Sequence, residues 1–293
     1  MYDLHIHTNC SDGQDSPRTI LQKAERLGLT IISITDHENC DAYNSLDAER
    51  ISGDSVFSGK IIPGIETDTY IDGLSLELLG YCFNVSKMNE ALRDMENQYG
   101  NTNLVMLQKL YERSVEAGVE FPPNVVEGYD KAKNYYSTEY LHDKMRENHK
   151  NRVLVPDEES WDHENIFFRR YTSNPDSPFY VDKSEFTPPA GVIIDMIHRV
   201  GGKVFIPHIF QYERHSETLL HTLLDKYNID GIECFYPSFT QSQTEYLLTL
   251  CEKRNLFVSG GSDYHGAKRP GSMGVKNDDV GEKRLSGWLD DRE

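Results

Sequence analysis

The sequence predicts an α/β protein: a (β/α) barrel of about seven strands, interrupted by one mostly helical insertion. Two observations carry this prediction. Short apolar runs typical of buried strands recur along the 293-residue chain, with helical periodicity in several of the gaps. In addition, histidines and carboxylates repeatedly stand at the ends of these runs, where a barrel would bring them to one rim.

The first elements have the clearest signals. Residues 2–6 form the first apolar run, and the segment SPRTILQKAERLG follows, with a capping Ser16, proline at the first helical position and a terminating Gly28. Its apolar residues recur at helical spacing, so we predict an amphipathic helix. Residues 29–35, LTIISIT, then form a β-branched run typical of a strand buried on both faces.

Five further apolar runs continue the pattern. They cover residues 60–65, 76–83, 203–206, 229–235 and 256–259. Periodicity alone fits either a barrel or a doubly wound sheet. The polar residues favour the barrel, because they stand at or just beyond the ends of the runs, and barrel active sites are built where the strands end.

Eight of these polar residues are candidate metal ligands. His5 and His7 lie two positions apart, so the strand period of two points both imidazoles to the same side. Imidazole and carboxylate together suit Zn, Mn or Fe, and more than four such ligands indicate more than one ion, which a bridging Glu66 could join. The eight are His5, His7, Asp12, His37, Glu66, His208, Asp263 and His265.

Each candidate also has an ordinary structural interpretation. A single histidine at such a position is often a hydrogen-bonded core residue, and an aspartate is often a cap. Asp12 is the most ambiguous, because Ser-Asp-Gly is also common turn chemistry. We interpret Asp36, next to His37, as a residue that orients ligands.

The pattern changes between residues 87 and 189. A helical segment is followed there by stretches rich in Pro, Asn, Asp and Ser. We predict a barrel domain formed by residues 1–86 and 190–293, with a helical insertion at 87–189. The insertion is either a solvated addition or a lid over the substrate.

Composition restricts the possible functions. The net charge of −18 opposes extended contact with nucleic acid, because phosphate backbones are bound by clustered Lys and Arg. The charge does not exclude binding of a small anion in a metal-lined pocket. The five cysteines are scattered and lack a CxxC pair, which favours a reducing compartment. No signal peptide pattern and no apolar run of roughly 20 residues is present, so we expect a cytoplasmic protein without membrane contact.

The motifs DLHIHTNCSDG, ITDHEN, PGIE, ELLGY, PHI and GSDYHG occur in this order, and with them the chain resembles the PHP (polymerase and histidinol phosphatase) family. It is most similar to stand-alone bacterial phosphoesterases of that family. The resemblance implies a distorted (β/α)7 TIM-like barrel with a helical insertion. It also implies about two to three divalent ions (Mn, Fe or Zn), held by the same eight residues.

Two departures from the family pattern concern the site. Where these phosphoesterases usually read HLLGY, Glu77 replaces the expected imidazole; it either ligates, favouring Mn or Fe, or leaves a third ion weakly held. A Gly-Arg-Pro-His segment that helps relatives hold the substrate phosphate aligns with residues 137–140, Ser-Thr-Glu-Tyr. Lys268 and Arg269, just after the last motif, either neutralise the phosphate or belong to a solvated loop.

We therefore predict a metal-dependent phosphoric monoester hydrolase in which a metal-activated water, and no protein nucleophile, attacks the phosphorus. The expected substrate is a small monoester of the nucleotide, bisphosphonucleotide or sugar-phosphate class. The alternatives are an exonuclease on short oligonucleotides, an amidohydrolase-type C–N hydrolase, and a non-catalytic metal-stabilised binding module. The oligomeric state stays open.

Overall fold

The computed structural model describes residues 1–52, 56–130, 136–267, 271–275 and 287–289, with side chains of 47–52 left out. The chain forms two compact units. The barrel unit comprises Met1–Asp68, Glu77–Leu92 and Gly191–Glu293, and the insertion unit comprises Thr69–Leu76 and Arg93–Ala190. The boundaries predicted at residues 87 and 189, and the role of the insertion as a lid, stay predictions.

One seven-stranded sheet runs in chain order from β1 to β7. Its strands are β1 (Tyr2–Ile6), β2 (Ile31–Ile34), β3 (Lys60–Ile71), β4 (Leu74–Tyr81), β5 (Lys203–Ile206), β6 (Gly231–Phe235) and β7 (Phe257–Gly260). The pairs β1–β2, β2–β3, β5–β6 and β6–β7 are parallel, whereas β4 runs antiparallel to β5.

The sheet nearly closes on itself at the first strand. The chain just beyond β7 lies beside β1, where the N–H of His7 donates to the carbonyl of Tyr264 at 2.9 Å and Ile6 forms a parallel bridge with Tyr264. The predicted α/β barrel is confirmed. The candidate ligands come from the ends of different strands, and closure brings these ends together in space.

The β3–β4 connection differs from the predicted strand bounds. β3 continues six residues past the predicted end at position 65, and Asp72 and Gly73, with φ of 47° and 90°, turn the chain into β4. Positive φ at both central residues is the type I′ arrangement that suits the twist of a hairpin. A search for continuous apolar runs misses this extension, because its first four residues, 66–69, are Glu, Thr, Asp and Thr.

Helices connect most of the other strands. In α1 (Pro17–Leu27) the Ser16 side chain accepts from the N–H of Thr19, and Gly28 ends the helix with φ of 67°, as predicted. The others are α2 (Asp41–Ser52), α3 (Val85–Tyr99), α4 (Thr102–Glu116), α5 (Ser137–Arg146), α6 (Glu158–Asp162), α7 (Glu164–Phe167), α8 (Ala190–Arg199), α9 (Ser216–Lys226) and α10 (Gln241–Arg254). Short 3₁₀ segments lie at His149–Leu154 and Ile209–His215, and a π turn lies at Phe168–Thr172.

Each unit buries its own apolar core. In the barrel unit Leu4, Tyr81 and Trp288 pack in one cluster, and the Trp288 indole donates to the carbonyl of Val258 at 2.9 Å. In the insertion unit the core includes Leu110 of α4, together with residues of α5 and α7. Among the described residues, none of the helices has the length and hydropathy needed to cross a bilayer.

Candidate metal centre

β1 places two imidazoles side by side in the barrel unit. The side chains of His5 and His7 are completely buried, and their ring centroids lie 5.2 Å apart. Gly261, just past β7, permits this arrangement: a Cβ atom there would lie 2.1 Å from the Cβ of His5. The position requires a residue without a side chain, because β1 and the chain after β7 approach so closely.

A first group of ligand atoms forms around these imidazoles. The Nε2 atom of His7 lies 3.2 Å from Glu66 Oε2 and 3.3 Å from Asp263 Oδ1. The Nε2 atom of His5 lies 3.2 Å and 3.5 Å from the same two oxygens. Two carboxylates and two imidazoles therefore converge, with one atom from each within 4.8 Å of the others.

Further groups adjoin the first and share residues with it. His7 also belongs to a group with Asp12, His37 and His265, in which His265 Nε2 lies 3.0 Å from Asp12 Oδ2. The structure thus brings together all eight predicted ligands, which lie in this group, in the first group, or with Glu66 in a third.

Glu77 belongs to the third group. The Nε2 atom of His208 lies 2.9 Å from Glu66 Oε1 and 3.4 Å from Glu77 Oε2. The hydroxyl of Tyr212 accepts from the Glu77 N–H at 2.9 Å and donates to Glu77 Oε2 at 3.3 Å. Glu77 is thereby fixed with its carboxylate beside the other ligands, as the motif position suggests.

Glu66 lies inside β3, whereas the sequence predicts it just after a strand. A parallel bridge joins it to His37, and its N–H lies 3.2 Å from the carbonyl of Thr35. Its two carboxylate oxygens face different imidazoles: Oε1 faces His208, and Oε2 faces His5 and His7. A carboxylate in this position could contribute one oxygen to each of two ions.

Other buried carboxylates hold the candidate ligands in place. Glu233 of β6 accepts from His5 Nδ1 at 3.0 Å and from the N–H of His208 at 2.7 Å. Asp36 accepts from the N–H of Thr8 at 2.7 Å and from its hydroxyl at 2.6 Å, which fixes the loop that carries Asp12. Such contacts set the orientation and tautomer of ligands.

The carboxylates shift the protonation of the imidazoles. Burial alone would lower the pKa of His5, but the charges of Glu66, Glu233 and Asp263 raise it well above its usual 6.5. Burial likewise opposes the charge on His7, and the nearby Asp263 and Glu66 carboxylates raise its pKa to about 10. Concentrated negative charge favours a cation here, either a proton or a metal ion.

The carboxylates respond in the opposite direction. Burial would raise the pKa of Asp12, but the imidazoles of His265 and His37 hold it well below its usual 3.8. The pKa of Glu66 is likewise well below its usual 4.5, because the attraction of His5 and other imidazoles outweighs burial. Both carboxylates are therefore ionised at neutral pH.

The donor set fits divalent transition metals. Neutral imidazole and carboxylate oxygen are the ligands that Zn, Mn and Fe share. Both ring nitrogens of His7 are buried and lack a partner with hydrogen-bond geometry among the described residues. Buried polar atoms are normally satisfied, so these nitrogens fit ligand atoms for a cation.

Two residues near the centre were not predicted from the sequence. Asp68 groups with His37 and Glu77, but it lies beyond the strand predicted to end at position 65. Glu233 lies inside the apolar run predicted at 229–235 and is completely buried. A buried carboxylate is rare, so its presence in a buried strand was the signal that could have indicated a role at the site. The predicted phosphate contacts Lys268 and Arg269 lie outside the described residues.

Comparison with known proteins identifies the family. The PHP domain family matches residues 3–157, more than half of the chain. A 5'-3' exoribonuclease Rnm from Salmonella typhimurium is 26% identical over 271 residues, which cover 90% of this chain and 85% of that protein. A phosphoribosyl 1,2-cyclic phosphate 1,2-diphosphodiesterase from Eggerthella lenta is 25% identical over 271 residues, covering 90% and 94%.

A solved structure shows the same fold. The crystal structure of a protein from Bifidobacterium adolescentis, described as a metal-dependent phosphoesterase, superposes with a TM-score of 0.68 at 23% identity. The similarity covers 97% of this chain and 95% of that one. With the barrel, the ordered motifs and the family match in agreement, the chain belongs to the PHP domain family.

Proposed function

We propose that this protein is a divalent-metal-dependent hydrolase of phosphoester bonds. The observation that carries the proposal is the set of adjoining groups of buried imidazoles and carboxylates, which share His7 and Glu66. The ligands of the centre are His5, His7, Asp12, His37, Glu66, Glu77, His208, Asp263 and His265. Four groups with shared members suit about two to three ions.

The residues of this chain prepare the centre for that chemistry. Divalent cations held by these residues would polarise phosphoryl oxygens and lower the pKa of water. Glu233 accepts the Nδ1 proton of His5, which leaves Nε2, beside Glu66 and Asp263, as the ring nitrogen that would bind a cation. Tyr236 donates to Asp263 Oδ2 at 2.8 Å and fixes that carboxylate from the other side.

The first substrate candidate is a small phosphate monoester of the nucleotide, bisphosphonucleotide or sugar-phosphate class. The net charge of −18 supports a small substrate, because long nucleic acids require clustered basic residues. A single phosphate can instead be neutralised by the cations of the centre, with no wide basic surface.

The second candidate is the terminal phosphodiester of a short RNA. It is favoured by the Salmonella relative, which is named a 5'-3' exoribonuclease and aligns with 90% of this chain. The Eggerthella relative is also named a diesterase, although of a small cyclic phosphate. A short RNA end avoids much of the repulsion that an acidic protein exerts on a long strand.

One experiment tests the function and separates the two substrates. Metal-stripped protein is reloaded with Mn²⁺ and incubated with nucleotides, bisphosphorylated nucleotides, sugar phosphates and a 5'-phosphorylated short RNA. Inorganic phosphate as the product identifies a monoesterase, and released nucleotides identify an exonuclease. We expect His7→Ala and Asp263→Ala to lose both metal and activity, and the exposed His149→Ala to keep both. Hydrolysis of none of these substrates by the reloaded protein would refute the proposal.

A further inference from the structure

A cluster of aromatic side chains lies beside the metal centre in the barrel unit. This aromatic patch consists of Phe210, Tyr236, Phe239 and Tyr246. The ring centroids of Phe210 and Phe239 are 5.1 Å apart, those of Tyr236 and Phe239 are 5.2 Å apart, and those of Phe210 and Tyr246 are 6.4 Å apart. The patch is built from the segment after β5, the segment after β6 and helix α10.

The patch is joined directly to the candidate ligands. The hydroxyl of Tyr236 donates to Asp263 Oδ2 at 2.8 Å, and the Tyr236 ring lies 5.6 Å from the ring of His208. Phe239 is therefore one ring further from the ligands than Tyr236. A molecule whose phosphate lies at the metal centre could place the next group along its own length on the aromatic patch.

The rings of the patch are only partly buried. Phe210, Tyr236 and Phe239 are half-buried, and Tyr246 is 39% exposed. Aromatic rings left partly open beside a catalytic centre offer a surface on which a flat ligand can stack.

Polar groups and a strained backbone accompany the rings. The side-chain amide of Gln211 donates to the hydroxyl of Tyr236 at 2.9 Å, so an amide stands at the edge of the patch. Glu213, in the same 3₁₀ segment as Phe210, has φ of 48° and ψ of −119°. Non-glycine residues in such conformations cluster at ligand-binding segments.

We propose that the aromatic patch binds the base of a nucleotide whose phosphate lies at the metal centre. The inference rests on the proposed phosphoester hydrolysis and narrows its substrate class to nucleotides or the terminal nucleotide of a short RNA. Bases stack on aromatic rings with little dependence on their identity, whereas a sugar phosphate has no such face. A neutral base also approaches an acidic protein without repulsion, which suits the charge of this chain.

The test compares two substrates that differ only by the base: adenosine 5'-monophosphate and ribose 5-phosphate. Phe239→Ala and Phe210→Ala should each raise the KM for the nucleotide by about 5- to 150-fold, which is the range expected for loss of one stacking contact. Kinetic constants for ribose 5-phosphate should not change. Phe239→Leu, which keeps apolar bulk without the π face, should show part of the same loss.

The controls separate stacking from structural damage and from failure of the proposed function. Equal losses on both substrates, accompanied by a lower Tm, would assign the rings a packing role and overturn the inference. Unchanged KM values on both substrates would overturn it as well, while leaving the hydrolase function intact. If neither compound is hydrolysed, calorimetric titration with adenosine decides: binding that Phe239→Ala abolishes supports the patch, and absence of binding to the unsubstituted protein refutes it.

Discussion

Replacing Glu233 with Gln should weaken metal binding without any direct contact to the ion. Its carboxylate accepts two hydrogen bonds, from His5 Nδ1 and from the N–H of His208. A glutamine has nearly the same shape but only one accepting oxygen. Its NH₂ group must therefore face one of these two donors.

Either orientation of the amide disturbs a ligand. If the amide NH₂ faces His5 Nδ1, the imidazole must carry its proton on Nε2, which removes the lone pair with which Nε2 would bind the ion. If it faces the His208 N–H, two donors meet in a fully buried site. Loss of such an outer partner typically costs 10- to 100-fold in metal affinity, or about 1.4 to 2.8 kcal/mol.

The assay is a titration of metal-stripped protein with Zn²⁺ in competition with a chromophoric chelator. Glu217→Gln, the same substitution at an exposed position of α9, serves as the control and should bind like the unsubstituted protein. Circular dichroism verifies that both variants are folded. A folded Glu233→Gln variant with unchanged affinity would show that the reasoning about tautomer and orientation is wrong.

Three further predictions concern other parts of the molecule. Glu77→Gln should lower the bound metal by up to about one equivalent in elemental analysis, since it replaces a carboxylate in the groups that contain His208 and Asp68 and leaves both groups that contain His7 intact; full retention would exclude Glu77 as a ligand. Gly261→Ala should lower both Tm and metal content, because its Cβ would collide with His5, whereas Gly287→Ala, with open space around it, should change neither. Burial holds the pKa of His142 at about 4, below its usual 6.5. As pH falls from 6.5 to 4, the unfolded chain takes up the proton before the folded protein does, so the free energy of unfolding of the metal-free protein should fall by up to about 3 kcal/mol. In urea unfolding, the His142→Gln variant should lack this part of the pH dependence. A pH profile identical to that of the unsubstituted protein would contradict the prediction.

The sequence predicted the elements and residues whose signals are local. Helix α1 follows from its capping serine, proline and terminal glycine. The candidate ligands follow from polar residues placed at strand ends, because barrel closure turns a repeated position in the chain into a shared position in space. His5 and His265 could therefore be assigned to one centre although 260 positions separate them.

Features that depend on pairing between distant strands were not visible in the sequence. The extension of β3 past position 65 begins with four polar residues instead of continuing the apolar run, so the position of Asp68 within a strand was missed. In the sequence Glu233 is a single charged residue in an apolar strand, and its role depends on the register of β6 beside β5. The aromatic patch combines residues from separate segments, and no local pattern indicates that association.

The most direct test of the account measures metal content and hydrolysis on the same samples. Stripped protein is loaded stepwise with Mn²⁺, and bound metal and product release are recorded at each step. We predict no hydrolysis without metal, activity that rises with occupancy to about two to three equivalents, and loss of both in His7→Ala. Undiminished hydrolysis by the stripped protein, or full metal retention by His7→Ala, would contradict the claim that this buried cluster holds the catalytic ions.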